Sequence, residues 1–235
     1  MIDNHIKTAE KTWDTIAESF DVTRRKPWHQ CIDFINGLPE SHTVADIGCG
    51  NGRHLLPCAE HCKNIIGVDI SRNLLNIAKN KIKEKDLSNV AFIHANMVKI
   101  PLKDGSLDSI IYVASLHNIK GREKRIRSLK EIHRILKNGG RALISVWSRW
   151  QDKYRTHYLK KLFYNKEEFG DIEIYWRQHN LDIPRFYHLY SKREFVKDLN
   201  QVGLEIEKIQ SVKLHSNISA DNYFAVVRKG KLLLR

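Results

Sequence analysis

The 235-residue chain is 42% hydrophobic and carries 40 Lys and Arg against 27 Asp and Glu, a formal net charge of +13. A chain of that length fills one sizeable core, so a single domain over 1–235 with elaborations is expected, not two domains. No apolar run approaches the ~18 residues of a membrane span, and the opening MIDNHIKTAEKTW has no signal-peptide core, so a soluble cytoplasmic protein with no membrane partner is expected.

In chain order, residues 1 to about 42 form a charged, amphipathic helical extension. TVADIG (43–48), NIIGVD (64–69), VAFIHA (90–95), DSIIYVAS (108–115) and RALISVW (141–147) read as five strands with helical patterns between them. The clearest helix is 122–137, where Ile126, Leu129, Ile132, Ile135 and Leu136 make the apolar stripe and Asn138-Gly139-Gly140 the stop. Strand alternating with helix implies an α/β fold, a mostly parallel sheet covered on both faces. Residues from about 148 to 190 break the rhythm with aromatic and basic residues, and read as an insertion over the site. LEIEKIQSVKL and NYFAVVRK then make an antiparallel hairpin at the sheet edge, completing seven strands.

The four cysteines, Cys31, Cys49, Cys58 and Cys62, are irregularly spaced in apolar segments, which suits buried thiols better than a disulfide framework. Cys58, Cys62, His54 and His61 offer metal-type donors, but no second ligand pair follows at zinc-site spacing, so no metal is expected. The basic excess is spread over KNKIKEK, KGREKRIRSLKEIHRILK and WSRWQDKYRTHYLKK, which points to a polyanionic partner.

VADIGCGNGRHLL places Gly48, Gly50 and Gly52 at the end of the first strand, where a missing Cβ permits a tight turn and close approach of a ligand to the backbone. Asp69 ends the second strand, 19 residues after Gly50, placed to accept from a ribose diol. The run G-C-G-N-G departs from the dinucleotide pattern G-x-G-x-x-G, and Asp46 stands two residues before the first glycine. An acidic residue there suits a cofactor with a cationic amino-acid end, which favours S-adenosylmethionine over a dinucleotide.

VADIGCGNGRHLL, IIGVDIS, IPLKDGSLDSIIYVASLHNI and EIHRILKNGGRALISVW resemble the successive motifs of the Rossmann-like class I S-adenosylmethionine-dependent methyltransferases, over residues from about 40 to 147. FDVTRRKPW, SLHNIKGREKRIRSL, ALISVWSRWQ and RFYHLYSKREF narrow the resemblance to the tRNA wobble-uridine carboxymethyl methyltransferases and the methyltransferase domain of the animal AlkB-like tRNA hydroxylase. The resemblance implies methyl transfer to the carboxylate of 5-carboxymethyluridine in the tRNA anticodon, giving the methyl ester. A carboxylate of pKa near ~4 is ionised at neutral pH and needs no general base, so catalysis reduces to orientation. Arg24, His117 and Trp147 are then the catalytic candidates: a guanidinium fork for the carboxylate or a phosphate, a donor after the fourth strand, and a pocket wall. Arg25 matches Arg24 in charge, and only the alignment separates them.

Cofactor-binding positions implied are Asp46, Gly48, Gly50, Gly52, Asp69, Ile70, Asn96, Met97 and Ser115. Asn96 stands where relatives usually have the aspartate that holds the adenine amino group, and His117 is followed by Asn118 where the family often has a second histidine. The RNA-binding surface expected comprises Arg25, Lys26, Arg122, Lys124, Arg125, Arg185, Tyr187 and His188, facing the anticodon arm. The family also implies a heterodimer with a small zinc-binding activator that adds to an exposed edge, most plausibly the third strand, with the zinc in the partner. Two other readings compete: a methyltransferase for a small quinone or lipid precursor, and a catalytically silent RNA-binding scaffold, which would be expected to lose the glycines or Asp69.

Overall fold

Each expected strand is an apolar run flanked by turn residues, and each forms. The structure, a computed structural model, describes residues 4–161 and 168–230. Five parallel strands, β1 (Thr43–Ile47), β2 (Asn64–Asp69), β3 (Val90–His94), β4 (Leu107–Val113) and β5 (Leu136–Trp147), join an antiparallel pair, β8 (Leu204–Val212) and β9 (Asn222–Lys229). The seven strands lie in the order β3-β2-β1-β4-β5-β9-β8, so β9 joins the sheet through β5 while β3 and β8 are its edges. Strand alternation splits the core in two. Ile110, Tyr112, Ile144 and Val146 face α5 (Arg122–Ile135) and α7 (Lys192–Gln201). Val44, Ile65, Ile111, Val113 and Leu143 face α2 (His29–Asn36), α3 (Leu55–His61) and α4 (Arg72–Glu84). A central sheet buried on both faces explains why β4 is apolar along nearly its whole length.

The N-terminal extension is α1 (Asn4–Thr23), packed on α4 and β7 (Ile183–His188), followed by α2. All four cysteines are free and buried; the His54 Nε2 accepts from Trp28 N–H and the His61 Nε2 bonds the Leu38 carbonyl.

Two elements differ from expectation. α5 ends at Ile135 because Leu136 pairs with Leu107 across a register shift, so Asn138-Gly139-Gly140 lies within the irregular start of β5 and is not a helix stop. The region 148–190, expected to have little periodicity, contains α6 (Arg155–Lys161) and a separate two-stranded sheet of β6 (Asp171–Trp176) with β7. Its residues 162–167 lie outside the described residues. The hairpin lacks the usual local signals: Pro184 interrupts β7, and the turn runs through His179 and Asn180 at positive φ without a glycine.

Candidate active site

The chain winds outward from β1 in both directions, β2 and β3 to one side and β4 and β5 to the other, which opens a crevice at the carboxyl ends of β1 and β4. Gly48, Cys49 and Gly50 follow β1, Asp69 and Ile70 end β2, Met97 follows β3, Ala114 and Ser115 follow β4, and Trp147 ends β5; all line one cleft. Gly48 has φ +73°, and a Cβ there would stand 2.3 Å from Ser115 Oγ. Gly50 has φ +54° and donates its N–H to Asp69 Oδ2 at 2.8 Å, while Ser71 N–H donates to Oδ1 at 2.8 Å. Burial raises the Asp69 pKa against the lowering effect of these amides, which orient its carboxylate beside the bare glycine backbone.

Asp46 lies inside the fold and does not line the cleft: it is buried, and its Oδ2 has no hydrogen-bond partner. Burial pushes its pKa up to about 8, with Asp69 adding and Arg53 opposing. A glycine cradle that a Cβ would fill, an oriented carboxylate and a second, orphaned carboxylate fit a ligand with a diol and a cationic end, as S-adenosylmethionine has. Three expectations change. Gly52 does not line the cleft: its φ of +78° and a would-be Cβ 3.0 Å from Ala78 Cβ make it the packing contact between the glycine loop and α4. Asn96 also stands off the cleft, its Oδ1 accepting from Val98 N–H at 3.0 Å, so Met97 supplies the wall there instead. Asp46, expected to touch the cofactor, is set back from the cleft wall.

The other half of the cleft is aromatic and cationic. His117, in the short turn after β4, is buried, and its Nδ1 accepts from Trp147 N–H at 3.1 Å, which leaves the ring proton on Nε2. Its ring lies 5.3 Å from Trp147 and 5.4 Å from Tyr187, and Trp147 stacks on Tyr187 at 4.9 Å and 9°. Burial, reinforced by the charges of His188 and Arg185, pushes His117 down to about 3. His54 is also held neutral, mainly by burial, and its Nε2 accepts from Trp28 N–H at 3.3 Å. Arg24 and Arg185 stand over the same Trp176 ring, at 5.4 and 4.8 Å from its centroid, and Arg185 also lies 5.0 Å from the Tyr187 ring. Neither has a carboxylate partner among the described residues, and burial lowers the Arg24 pKa.

The expected RNA-binding residues separate into three groups. Arg25 and Lys26 line a groove beside the cleft. Arg185 and Tyr187 line the cleft itself. The others are buried or already engaged, and that corrects the expectation of one exposed basic surface. Arg125 is fully buried, donating to Glu168 at 2.5 Å and to the Ile119 carbonyl at 3.3 Å. Arg122 donates to Asp198 at 2.6 Å, Lys124 is partly buried and engaged, and His188 is buried between Asp171 at 2.7 Å and Glu194 at 2.8 Å. Their carboxylates belong to the 168–171 segment and α7, distant in the chain. Trp13, Phe20 and Trp176 line the cleft without having been anticipated. Trp13, Phe20 and Arg24 follow one face of the α1 pattern, a spacing visible in the sequence; for Trp176 no signal existed.

The family described as "Methyltransferase domain" matches residues 45–144. A tRNA (carboxymethyluridine(34)-5-O)-methyltransferase, alkbh8 of Xenopus tropicalis, is 38% identical over 153 residues, 64% of this chain but 23% of that protein. The chain thus spans about a quarter of that relative's length. A tRNA (carboxymethyluridine(34)-5-O)-methyltransferase of Schizosaccharomyces pombe is 26% identical over 233 residues, 93% of this chain and 95% of that one. Among solved structures, a SAM-dependent methyltransferase from Methanosarcina mazei superposes with TM-score 0.74 at 22% identity, covering 87% of this chain and 98% of that one. A chain from the complex of the Haloferax volcanii Trm112 methyltransferase activator with a methyltransferase superposes at 0.69 and 17% identity, covering 95% and 98%. The glycine cradle, the oriented Asp69 and this strand order agree with the methyltransferase-domain match over residues 45–144, and the chain is similar to proteins named tRNA (carboxymethyluridine(34)-5-O)-methyltransferases.

Proposed function

We propose that the chain is one methyltransferase unit over 1–235 that esterifies the carboxylate of 5-carboxymethyluridine at the tRNA wobble position. The observation that carries this reading is a cleft rich in donors and lacking a free base. Arg24 and Arg185 share one indole face with no carboxylate partner among the described residues, and His117 and His54 each have a ring nitrogen occupied by a backbone N–H. A neutral hydroxyl or amine acceptor would need a proton removed. An ionised carboxylate needs only to be held.

When bound, S-adenosylmethionine supplies an electrophilic sulfonium methyl group. Asp69 would accept from the ribose diol, Gly48 and Gly50 leave the backbone open to it, Asp46, largely neutral at pH 7 in the ligand-free protein, would ionise toward the cationic end, and Ile70, Met97 and Ser115 wall the site. Arg24 and Arg185 grip the acceptor carboxylate, the guanidinium fork matching its two oxygens. His117 offers its Nε2–H without titrating near neutrality, and Trp147 and Tyr187 wall the base. Orientation of this kind is worth several orders of magnitude in rate.

The partner is proposed to be a small zinc-binding activator that adds a strand along β3. The edge strand VAFIH bears no acidic residue or lysine, whereas the other edge, LEIEKIQSV, is guarded by Glu205, Glu207 and Lys208. No helix of the described residues is long and apolar enough to cross a membrane, and a cytoplasmic location accords with four reduced cysteines.

The test is incubation of the chain, alone and with such an activator, with methyl-labelled S-adenosylmethionine and tRNA bearing 5-carboxymethyluridine. Label that enters tRNA and is released as methanol by mild alkali is expected, because an ester hydrolyses there. Alkali-stable label in the tRNA, or label entering only small metabolites, would overturn the reading, the latter in favour of a small-molecule carboxylate acceptor.

A further inference from the structure

Beside the cleft runs a second groove, between the turn after α1, the start of the 148–190 region and the loop 213–221; Arg24, Trp28, Arg53 and Trp147 line both. We propose that this groove holds the nucleotide adjacent to the one whose base enters the cleft, an inference that rests on the RNA acceptor argued above.

The groove is built, not merely left open. Its far wall is the loop 213–221, whose six successive amides 214–219 are all taken by two carboxylates. Asp221 accepts from Leu214, His215 and Ser216 N–H at 2.8, 2.6 and 2.9 Å, and Asp152 from Asn217, Ile218 and Ser219 N–H at 2.8, 3.0 and 3.1 Å. A polar loop is thereby fixed in place. Both acids that line the groove spend their oxygens on that wall. The near wall presents Arg25, Lys26 and Lys153, for which no carboxylate partner exists among the described residues. Tyr154 also lines the groove, half-buried, with Lys153 Nζ 5.5 Å from its ring centroid, and the Arg53 guanidinium lies 4.7 Å from the Trp28 ring centroid.

Cations beside aromatic faces, set opposite a fixed polar wall and opening into the acceptor cleft, are what a nucleotide needs: a phosphate partner and a stacking platform. Such contacts tolerate any base, so the groove would hold the neighbouring nucleotide without reading it.

The test needs no methyl transfer. Binding of a fluorescent trinucleotide, UUU, to the chain with its activator is measured by anisotropy for wild type, for Lys153→Glu with Tyr154→Ala, and for the conservative Lys153→Arg with Tyr154→Phe. Affinity is expected to fall about 10-fold or more in the first pair and to hold in the second, on the scale of a lost stacking and phosphate contact. Melting temperature and S-adenosylmethionine binding report whether each variant is folded. In parallel, the advantage in kcat/KM of a trinucleotide over the free nucleoside, both bearing 5-carboxymethyluridine, is expected to shrink in the first pair only. Equal trinucleotide affinity in all three proteins overturns the groove. Uridine monophosphate binding as tightly as UUU, and lost with the same substitutions, places a free nucleotide there and overturns the strand reading. Groove-dependent UUU binding without any methyl ester would uphold the groove while removing carboxymethyluridine as the acceptor.

Discussion

Two side chains in and under the cleft have opposite costs. His117 is neutral because burial and the Trp147 N–H hold it so, and its folded pKa of about 3 keeps it neutral at every working pH. Its Nε2–H is therefore a constant donor. Replacement of His117 or Arg24 by Ala is expected to lower single-turnover methylation of carboxymethyluridine tRNA by ~10²-fold or more with little change in tRNA affinity, since only orientation is lost. Arg24→Lys keeps the charge but loses the fork and should restore little. Wild-type turnover in these variants would return both residues to a structural role. Asp46 is the costly one. Its folded pKa of about 8 lies above the unfolded value, so its contribution to stability is full below ~4 and is lost as pH rises through about 8. Asp46→Asn should remove that loss, raising the melting temperature of the ligand-free protein at pH 8 by about 2–6 °C, the scale of 1–2 kcal/mol in a domain of this size. It should also weaken S-adenosylmethionine binding in calorimetry, because charge that opposes folding is what a cationic ligand recovers. An equal or lower melting temperature would refute the assignment.

The β6–β7 hairpin brings Trp176, Arg185 and Tyr187 to the cleft, and it is anchored by charge. His188 on β7 donates from both ring nitrogens, to Asp171 on β6 and to Glu194 on α7, which requires the imidazolium. Burial opposes that charge, but the hydrogen bonds to the two carboxylates outweigh it and hold the pKa above the ordinary histidine value. Arg125 joins the network through Glu168, and Arg149 through Glu194. Because the folded pKa is raised, the contribution of His188 is full below the unfolded value near ~6.5 and is lost as pH rises through the folded one. Thermal melts of wild type should fall in midpoint over that window, where Asp46 also titrates, and in an Asp46→Asn background His188→Gln should flatten the remaining slope while lowering the midpoint at pH 6. A wild-type slope retained in the variant would assign the titration elsewhere.

Across the whole molecule, the +13 charge is not evenly available to a polyanion. Arg122, Arg125, Arg134, Arg141 and Arg149 are engaged by carboxylates. Among the cations given no such partner within the described residues, Arg24, Arg25, Lys26, Arg53 and Lys153 line the cleft and groove. Lys26→Ala is expected to weaken binding of all tRNAs and reduce the salt slope of log K by about 1, whereas Arg125→Ala should leave the slope alone and lower the melting temperature, since a fully buried side chain and its bonds to Glu168 and the Ile119 carbonyl are lost. A flattened slope in the Arg125 variant would restore it to the RNA surface. Ala91→Lys, on the exposed side of β3, should weaken activator binding in a pull-down without changing the melting temperature of the isolated chain. Undiminished capture would move the partner to another edge.

What was legible in the sequence was what local chemistry enforces. Short apolar runs bounded by turn residues located every strand of the main sheet, and a turn that only glycine tolerates beside a strand-end aspartate located the cofactor half of the site at Gly48, Gly50 and Asp69. Tertiary structure decided whatever depends on a partner far along the chain. Arg125 and His188 looked like exposed cations because their carboxylates, Glu168, Asp171 and Glu194, belong to segments whose docking no local pattern reveals. Arg185 became a cleft residue because β7 pairs with β6 over α1, and Gly52 became a packing position because α4 crosses behind it. Backbone conformation is set by the residues that adopt it, whereas a charge is buried or free according to what folds against it.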